Sequence, residues 1–182
     1  MTKKTVVLCD DHNIVRAGIR QIVESFGAFE VLGEVASGEA LFPLFRNQVP
    51  DILLLDISLP GRSGLEVLKQ IQSMYPQIAV LTLSMYPEDQ FAIRMIKAGA
   101  RGYLHKDSAP HILEEAMRTI SEGKQYISAD LTRLMIEEMS KEDDDLPHKS
   151  LSDREYEVLL FIGEGKSMTE IAGQLSLSLI HI

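Results

Sequence analysis

Two adjacent aspartates, Asp10 and Asp11, close the apolar run "VVLC". Like charges in a poorly hydrated place raise each other's pKa and cost stability, so something must offset them. A third carboxylate, Asp56, closes the run "DILLLD", a hydroxyl, Ser84, closes "IAVLTLS", and an ammonium, Lys106, follows "GYLH". Three carboxylates, a hydroxyl and an ammonium at the ends of apolar runs suit a hard divalent cation with oxygen ligands. Magnesium is the usual choice where phosphate is bound as well. A carboxylate beside such a cation can act as a nucleophile and form an acyl-phosphate. Phosphoryl transfer asks little more of a protein than positioning and charge neutralisation, which the cation and Lys106 would supply.

The elements that must bring these residues together are readable along the first two-thirds of the chain. "TVVLC", "FEVLGEVA", "DILLLD", "IAVLTLS" and "GYLHK" each precede a stretch with helical periodicity. Val15, Ile19, Ile22 and Phe26 share one helical face, as do Leu65, Leu68 and Ile71. Pro87 and Gly99 bracket a helix, and Ser108 is the expected N-cap of the next. The strands are continuous apolar runs, so both sheet faces are covered and the sheet is parallel. The expected class is α/β, a doubly wound five-stranded parallel sheet, whose ligand site lies at the carboxyl ends of the strands.

Each residue also has a plainer reading. Asp10 alone could cap a helix, Asp56 could start a turn toward Pro60-Gly61, and Ser84 could cap the helix near Pro87. Tyr103 in "GYL" could be a core aromatic, and Lys106 beside Asp107 a surface pair worth ~0–1 kcal/mol. Their joint occurrence at one edge of the sheet favours a site. The five histidines, His12, His105, His111, His148 and His181, show no metal-ligand spacing and read as structural or surface residues.

Taken together, Asp10–Asp11, Asp56, Ser84, Tyr103 and Lys106 resemble the receiver domain of two-component response regulators, a flavodoxin-like fold. The segments "DISLPGRSGLEVL" and "LTLSMYPEDQFAIRMIKAGARGYLHKD" are especially similar to the NarL/FixJ subfamily. The resemblance implies that Asp56 accepts a phosphoryl group from a sensor histidine kinase. It implies that Asp10, Asp11, Asp56 and the backbone carbonyl of Ser58 hold magnesium. Lys106 would pair with the phosphoryl group, and Ser84 and Tyr103 would form the switch pair. The receiver would catalyse its own phosphorylation and dephosphorylation without being a metabolic enzyme, and phosphorylation would promote a homodimer.

The organisation that follows is a receiver over residues 4–124, a linker over 125–149 and a helix-turn-helix fragment over 150–182. The linker holds an amphipathic stretch, "SADLTRLMIEEMS", with Leu131, Leu134, Met135 and Met139 on one face, able to pack on the receiver or on a second chain. Four consecutive acids and a proline follow in "SKEDDDLPHKS". "LSDREYEVL" opens with a capping box, Ser152 and Glu155, and Gly163 and Gly165 end its helix. This opening and "MTEIAGQLSLS" resemble the first half of a LuxR-type helix-turn-helix. The recognition helix, which enters the major groove, should start after Ser178, and four residues cannot form it. The expectation is a truncated or misassembled reading frame, with weak or no specific DNA binding by the chain as given. Residues 151–182 carry two basic and five acidic side chains.

A formal net charge of −9 excludes nucleic-acid binding by bulk charge alone. The single cysteine, Cys9, lies in an apolar run, so a disulfide framework is excluded and a reducing, cytoplasmic compartment is expected. No apolar stretch approaches the ~20 residues that span a bilayer, so no membrane partner is expected. Two rivals remain at this level. One is a receiver acting only through protein contacts. The other is a magnesium-dependent phosphohydrolase with an aspartate nucleophile, which commonly places a second acid two residues on, where this chain has Ser58.

Overall fold

The structure is a computed structural model, and it describes residues 2–140, 151–163 and 165–175. Strands β1 (Lys4–Cys9), β2 (Phe29–Val35), β3 (Ile52–Asp56), β4 (Ala79–Ser84) and β5 (Gly102–His105) form one sheet in the order β2-β1-β3-β4-β5. Every neighbouring pair is parallel. Between strands run α1 (Asn13–Ser25), α2 (Leu41–Asn47), α3 (Gly64–Met74) and α4 (Glu88–Lys97), and α5 (Pro110–Ser121) follows β5. The strand order reverses direction between β1 and β3, the switch point at which such sheets open a crevice.

Continuous apolar strands are buried on both faces because the helices divide into two layers. Val7, Cys9, Leu53, Leu55 and Val80 face a core completed by Leu41, Leu68, Phe91 and Met95 from α2, α3 and α4. Val6, Leu8, Ile52, Leu54 and Leu81 face the other core, closed by Val23 of α1 and Leu113, Met117 and Ile120 of α5. The expected doubly wound class therefore holds. The cap of α5 is corrected: Ala109, not Ser108, is its N-cap, and Pro110 occupies the first helical position. Ser108 is used one step earlier, where its N–H bonds the His105 carbonyl in the turn leaving β5.

A capping box starts α3. The Ser63 hydroxyl accepts from the Glu66 N–H, and the Glu66 carboxylate accepts from the Ser63 N–H. This fixes the end of the β3–α3 loop just after Asp56. Gly64 is required there: a Cβ on it would stand 2.5 Å from the Asp56 carbonyl oxygen and 2.6 Å from Ile57 Cα. Both neighbours are backbone, so nothing can rotate away. Gly64→Ala should destabilise the fold by about 1–3 kcal/mol by overpacking. Denaturant unfolding reads this, and an unchanged midpoint would show that the loop is free to move.

The amphipathic stretch forms α6 (Ala129–Ser140), which packs on α4. Leu131 is fully buried in the same core as Val80 and Tyr103, and Met135 packs against that core. Ser128 donates its hydroxyl to Glu88, and Lys97 pairs with Glu138 at 2.6 Å. Of the two partners open to this helix, the receiver is the one it covers.

Beyond the acidic run, which lies outside the described residues, stand α7 (Asp153–Gly163) and α8 (Met168–Gln174). The Ser152–Glu155 box is present, and a second box, Ser167 with Glu170, opens α8. Phe161, Ile171 and Leu175 form a small core between the two helices. The pair docks on the receiver through aromatic rings: Tyr86 against Phe161 at 5.9 Å, and Phe91 against Tyr156 at 5.8 Å. The Arg94 guanidinium lies 3.7 Å over the Tyr156 ring, and Arg154 donates to the Gly61 carbonyl. The expected position of a recognition helix, after Ser178, lies outside the described residues.

Candidate functional site

The strand ends converge as the sequence predicts. β1 pairs with β3, and β3 with β4, so Asp10, Asp56 and Ser84 emerge side by side at one edge. The Lys106 N–H bonds the Ser84 carbonyl at 2.7 Å, which carries the lysine into the same crevice just beyond β5. Its Nζ lies 2.7 Å from Asp56 Oδ2 and 2.8 Å from Asp10 Oδ2. The three side chains are at most 5% exposed, so this is a buried charge cluster, not a surface pair.

Turns hold the carboxylates. Asp10 Oδ1 accepts from the His12 N–H at 2.8 Å, and Asp56 Oδ1 accepts from the Ser58 N–H at 3.0 Å. The Ser58 amide thus folds back onto Asp56 at the start of the β3–α3 loop. Arg16 donates to the Asp10 carbonyl from α1.

The electrostatics are unbalanced toward negative charge. Burial raises the Asp56 carboxyl above its ordinary value, Lys106 pulls it back, and Asp10 pushes it up again. Burial lowers Lys106, but Asp56 and Asp10 outweigh that and hold it protonated above its ordinary value. The Cys9 thiol beneath is pushed up, first by burial and then by Asp56 and Asp10. Three carboxylates against one ammonium leave room for a divalent cation. Asp11 Oδ1 is shut off from solvent and accepts no hydrogen bond among the described residues. Its carboxylate, those of Asp10 and Asp56, and a His12 ring nitrogen all lie within 4.8 Å of one another. The donor set fits a divalent cation. His12, read from the sequence as structural or surface, is exposed, and the β1–α1 turn brings a ring nitrogen of it to the carboxylates.

Ser84 and Tyr103 are both buried and both hold one neighbour. Ser84 Oγ accepts from the Tyr86 N–H at 2.9 Å, and the Tyr103 hydroxyl donates to the Tyr86 carbonyl at 2.8 Å. Burial pushes the Tyr103 phenol up, so it stays a donor. His105 Nε2 lies 2.9 Å from the Met85 carbonyl in the same loop. Sequence reasoning found Ser84 and Tyr103 but not Tyr86, the residue they share.

Fold and crevice define a receiver: a phosphorelay domain on a parallel sheet, with acids at the β1 and β3 ends and a lysine after β5. Residues 6–118 match the response regulator receiver domain family, and the chain belongs to that family. It is similar to the response regulator UvrY of Escherichia coli, 36% identical over 174 residues that cover 95% of this chain and 80% of that protein. Similarity to the response regulator GacA of Pseudomonas aeruginosa is 32% over 174 residues, covering 95% of this chain and 81% of that protein. Among solved structures, a Salmonella typhimurium RcsB response regulator superposes with a TM-score of 0.69 at 29% identity, covering 100% of this chain and 87% of that one. An RcsB–DNA complex superposes with a TM-score of 0.68 at 27% identity, covering 99% of this chain and 86% of that one. These relatives extend well past the receiver, through α7 and α8. The chain is a response regulator of the NarL/FixJ type, with the receiver of a two-component phosphorelay. The phosphohydrolase alternative is not favoured. Among the described residues, no helix is long and apolar enough to cross a membrane.

Proposed function

We propose that this response regulator takes its phosphoryl group on Asp56 from a phosphohistidine of a sensor histidine kinase. An Asp56 oxygen attacks phosphorus, the P–N bond breaks, and the departing imidazole takes up a proton as a mixed anhydride forms. The observation that carries this reading is the buried Lys106 ammonium shared by Asp56 and Asp10 at 2.7 and 2.8 Å. Lys106 neutralises a phosphoryl oxygen once the acyl-phosphate exists. The Ser58 N–H holds Asp56 Oδ1 and the Lys106 ammonium holds Oδ2, which fixes the carboxylate's orientation.

Asp10, Asp11, Asp56 and the Ser58 carbonyl would hold magnesium, which neutralises charge on the transferring group when bound. The orphaned Asp11 oxygen supports that assignment. Ser84 and Tyr103 would act as the switch pair, with ~1.5–2 negative charges added at Asp56 drawing the Ser84 hydroxyl toward them. The receiver would promote its own phosphoryl transfer and hydrolysis. In the cytoplasm, the phosphorylated form would dimerise, and a chain that carries the recognition helix would then engage paired DNA half-sites. The receiver boundaries 4–124, the linker 125–149 and the helix-turn-helix segment 150–182 belong to the same proposal.

Acetyl phosphate with magnesium, read by intact mass, tests it. One phosphoryl mass is expected on the wild-type protein, lost with chelator and absent in Asp56→Asn. An unmodified wild type, or a modified Asp56→Asn, overturns it.

A further inference from the structure

His12 is not explained by anything above. It is exposed and follows the two acids, yet its Nδ1 lies 2.8 Å from Asp11 Oδ1 and 3.5 Å from Asp10 Oδ1. The Asp11 oxygen is shut off from solvent and accepts no hydrogen bond among the described residues. The short approach is therefore not an aligned N–H···O bond. The 2.8 Å separation is also that of neighbouring ligands around one ion with bonds of roughly 2.0–2.2 Å. A nitrogen of the ring shares the 4.8 Å cluster with oxygens of Asp10, Asp11 and Asp56.

We infer that His12 is a further donor to this site and extends it from magnesium to imidazole-accepting divalent cations of the zinc class. Magnesium is hard and reluctant to shed water, so it gains little from an imidazole at the rim. Zinc accepts nitrogen and carboxylate oxygen together and gains a bond. His12 thus sets which cation the receiver carries. The backbone turn that orients it is independent of its side chain, because Asp10 Oδ1 is held by the His12 N–H, which any non-proline residue supplies.

This rests on the cation site proposed above, and the test separates the two. Calorimetric titration of the full chain with zinc and with magnesium compares wild type, His12→Gln and Asp11→Asn. His12→Gln should weaken zinc at least about tenfold and magnesium less than about twofold. Asp11→Asn should weaken both. The imidazole ¹⁵N spectrum should show one Nδ1 resonance shifting with one equivalent of zinc, absent in His12→Gln. If His12→Gln leaves zinc affinity unchanged, or weakens both ions equally, His12 is no ligand and the inference falls while the carboxylate site stands. If wild type binds neither ion, the carboxylate site itself is wrong.

Discussion

Lys106→Met should lower the rate of Asp56 phosphorylation by about 10²–10³-fold, the usual loss when one preorganised charge that stabilises a transition state is removed. The same change should destabilise the cation-free protein by about 3 kcal/mol, because Asp10 and Asp56 lose their buried counter-charge. Two observations set these magnitudes. Lys106 bridges both carboxylates, and burial alone already raises the Asp56 carboxyl. The sign with pH is the same for the two groups, but the windows differ. Lys106 is raised, so its stabilisation is complete below its ordinary value of 10.5 and is lost as pH climbs through its higher folded value. Asp56 is also raised, so folding is favoured by its proton below its ordinary value of 3.8, and that benefit is lost as pH rises through the folded value. Lys106→Met removes the first effect and enlarges the second. Its deficit against wild type should therefore shrink as the solution is acidified, and should shrink again on adding magnesium at neutral pH. Thermal unfolding across pH, with and without magnesium, reads both. A deficit independent of pH and magnesium would mean that Lys106 packs the crevice without compensating its charge.

Much of that site is legible in the sequence. Asp10, Asp56 and Ser84 each terminate a continuous apolar run, and parallel strands must all end on the same edge. Lys106 follows because it comes directly after His105, which ends β5 opposite Ser84. The parts that were not legible depend on contacts between distant elements. The apolar face of α6 announces burial but not a partner, and only the fold shows Leu131 entering the core beside Tyr103. His12 has no ligand spacing because its neighbours are the adjacent acids and a strand end 44 residues on, brought together by a turn. The Ser63 and Ser167 boxes were readable as Ser-x-x-Glu, the same pattern found at Ser152. Ser108 was a weaker signal than Pro110, whose fixed φ chooses the first helical position.

Tyr86→Ala should release α7 and α8 from the receiver without unfolding it. The Tyr86 ring lies 5.1 Å from Phe91 and 5.9 Å from Phe161, and aromatic pairs contribute about 0.5–1.5 kcal/mol each beyond area burial. Only the second pair crosses to α7, and losing it should raise the undocked population roughly 2–12-fold. Amide hydrogen exchange should show α7 protection falling while β1 and β3 keep theirs. Unchanged α7 protection would sink the idea. The backbone of Tyr86 makes this more than a packing effect. Its N–H is bound by Ser84 and its carbonyl by Tyr103, while its ring bears on α7. If phosphorylation draws the Ser84 hydroxyl toward Asp56, the Tyr86 N–H loses its acceptor, and the ring cannot keep its place against Phe161. Phosphorylating Asp56 should then lower α7 protection in the wild type, and have little further effect in Tyr86→Ala. Coupling free energies are reciprocal. Tyr86→Ala should therefore favour the phosphorylated form by the factor that phosphorylation would otherwise spend on undocking. A helix pair docked in part through the Tyr86 ring is a load on the phosphorylation equilibrium, and Tyr86 is where that load is applied.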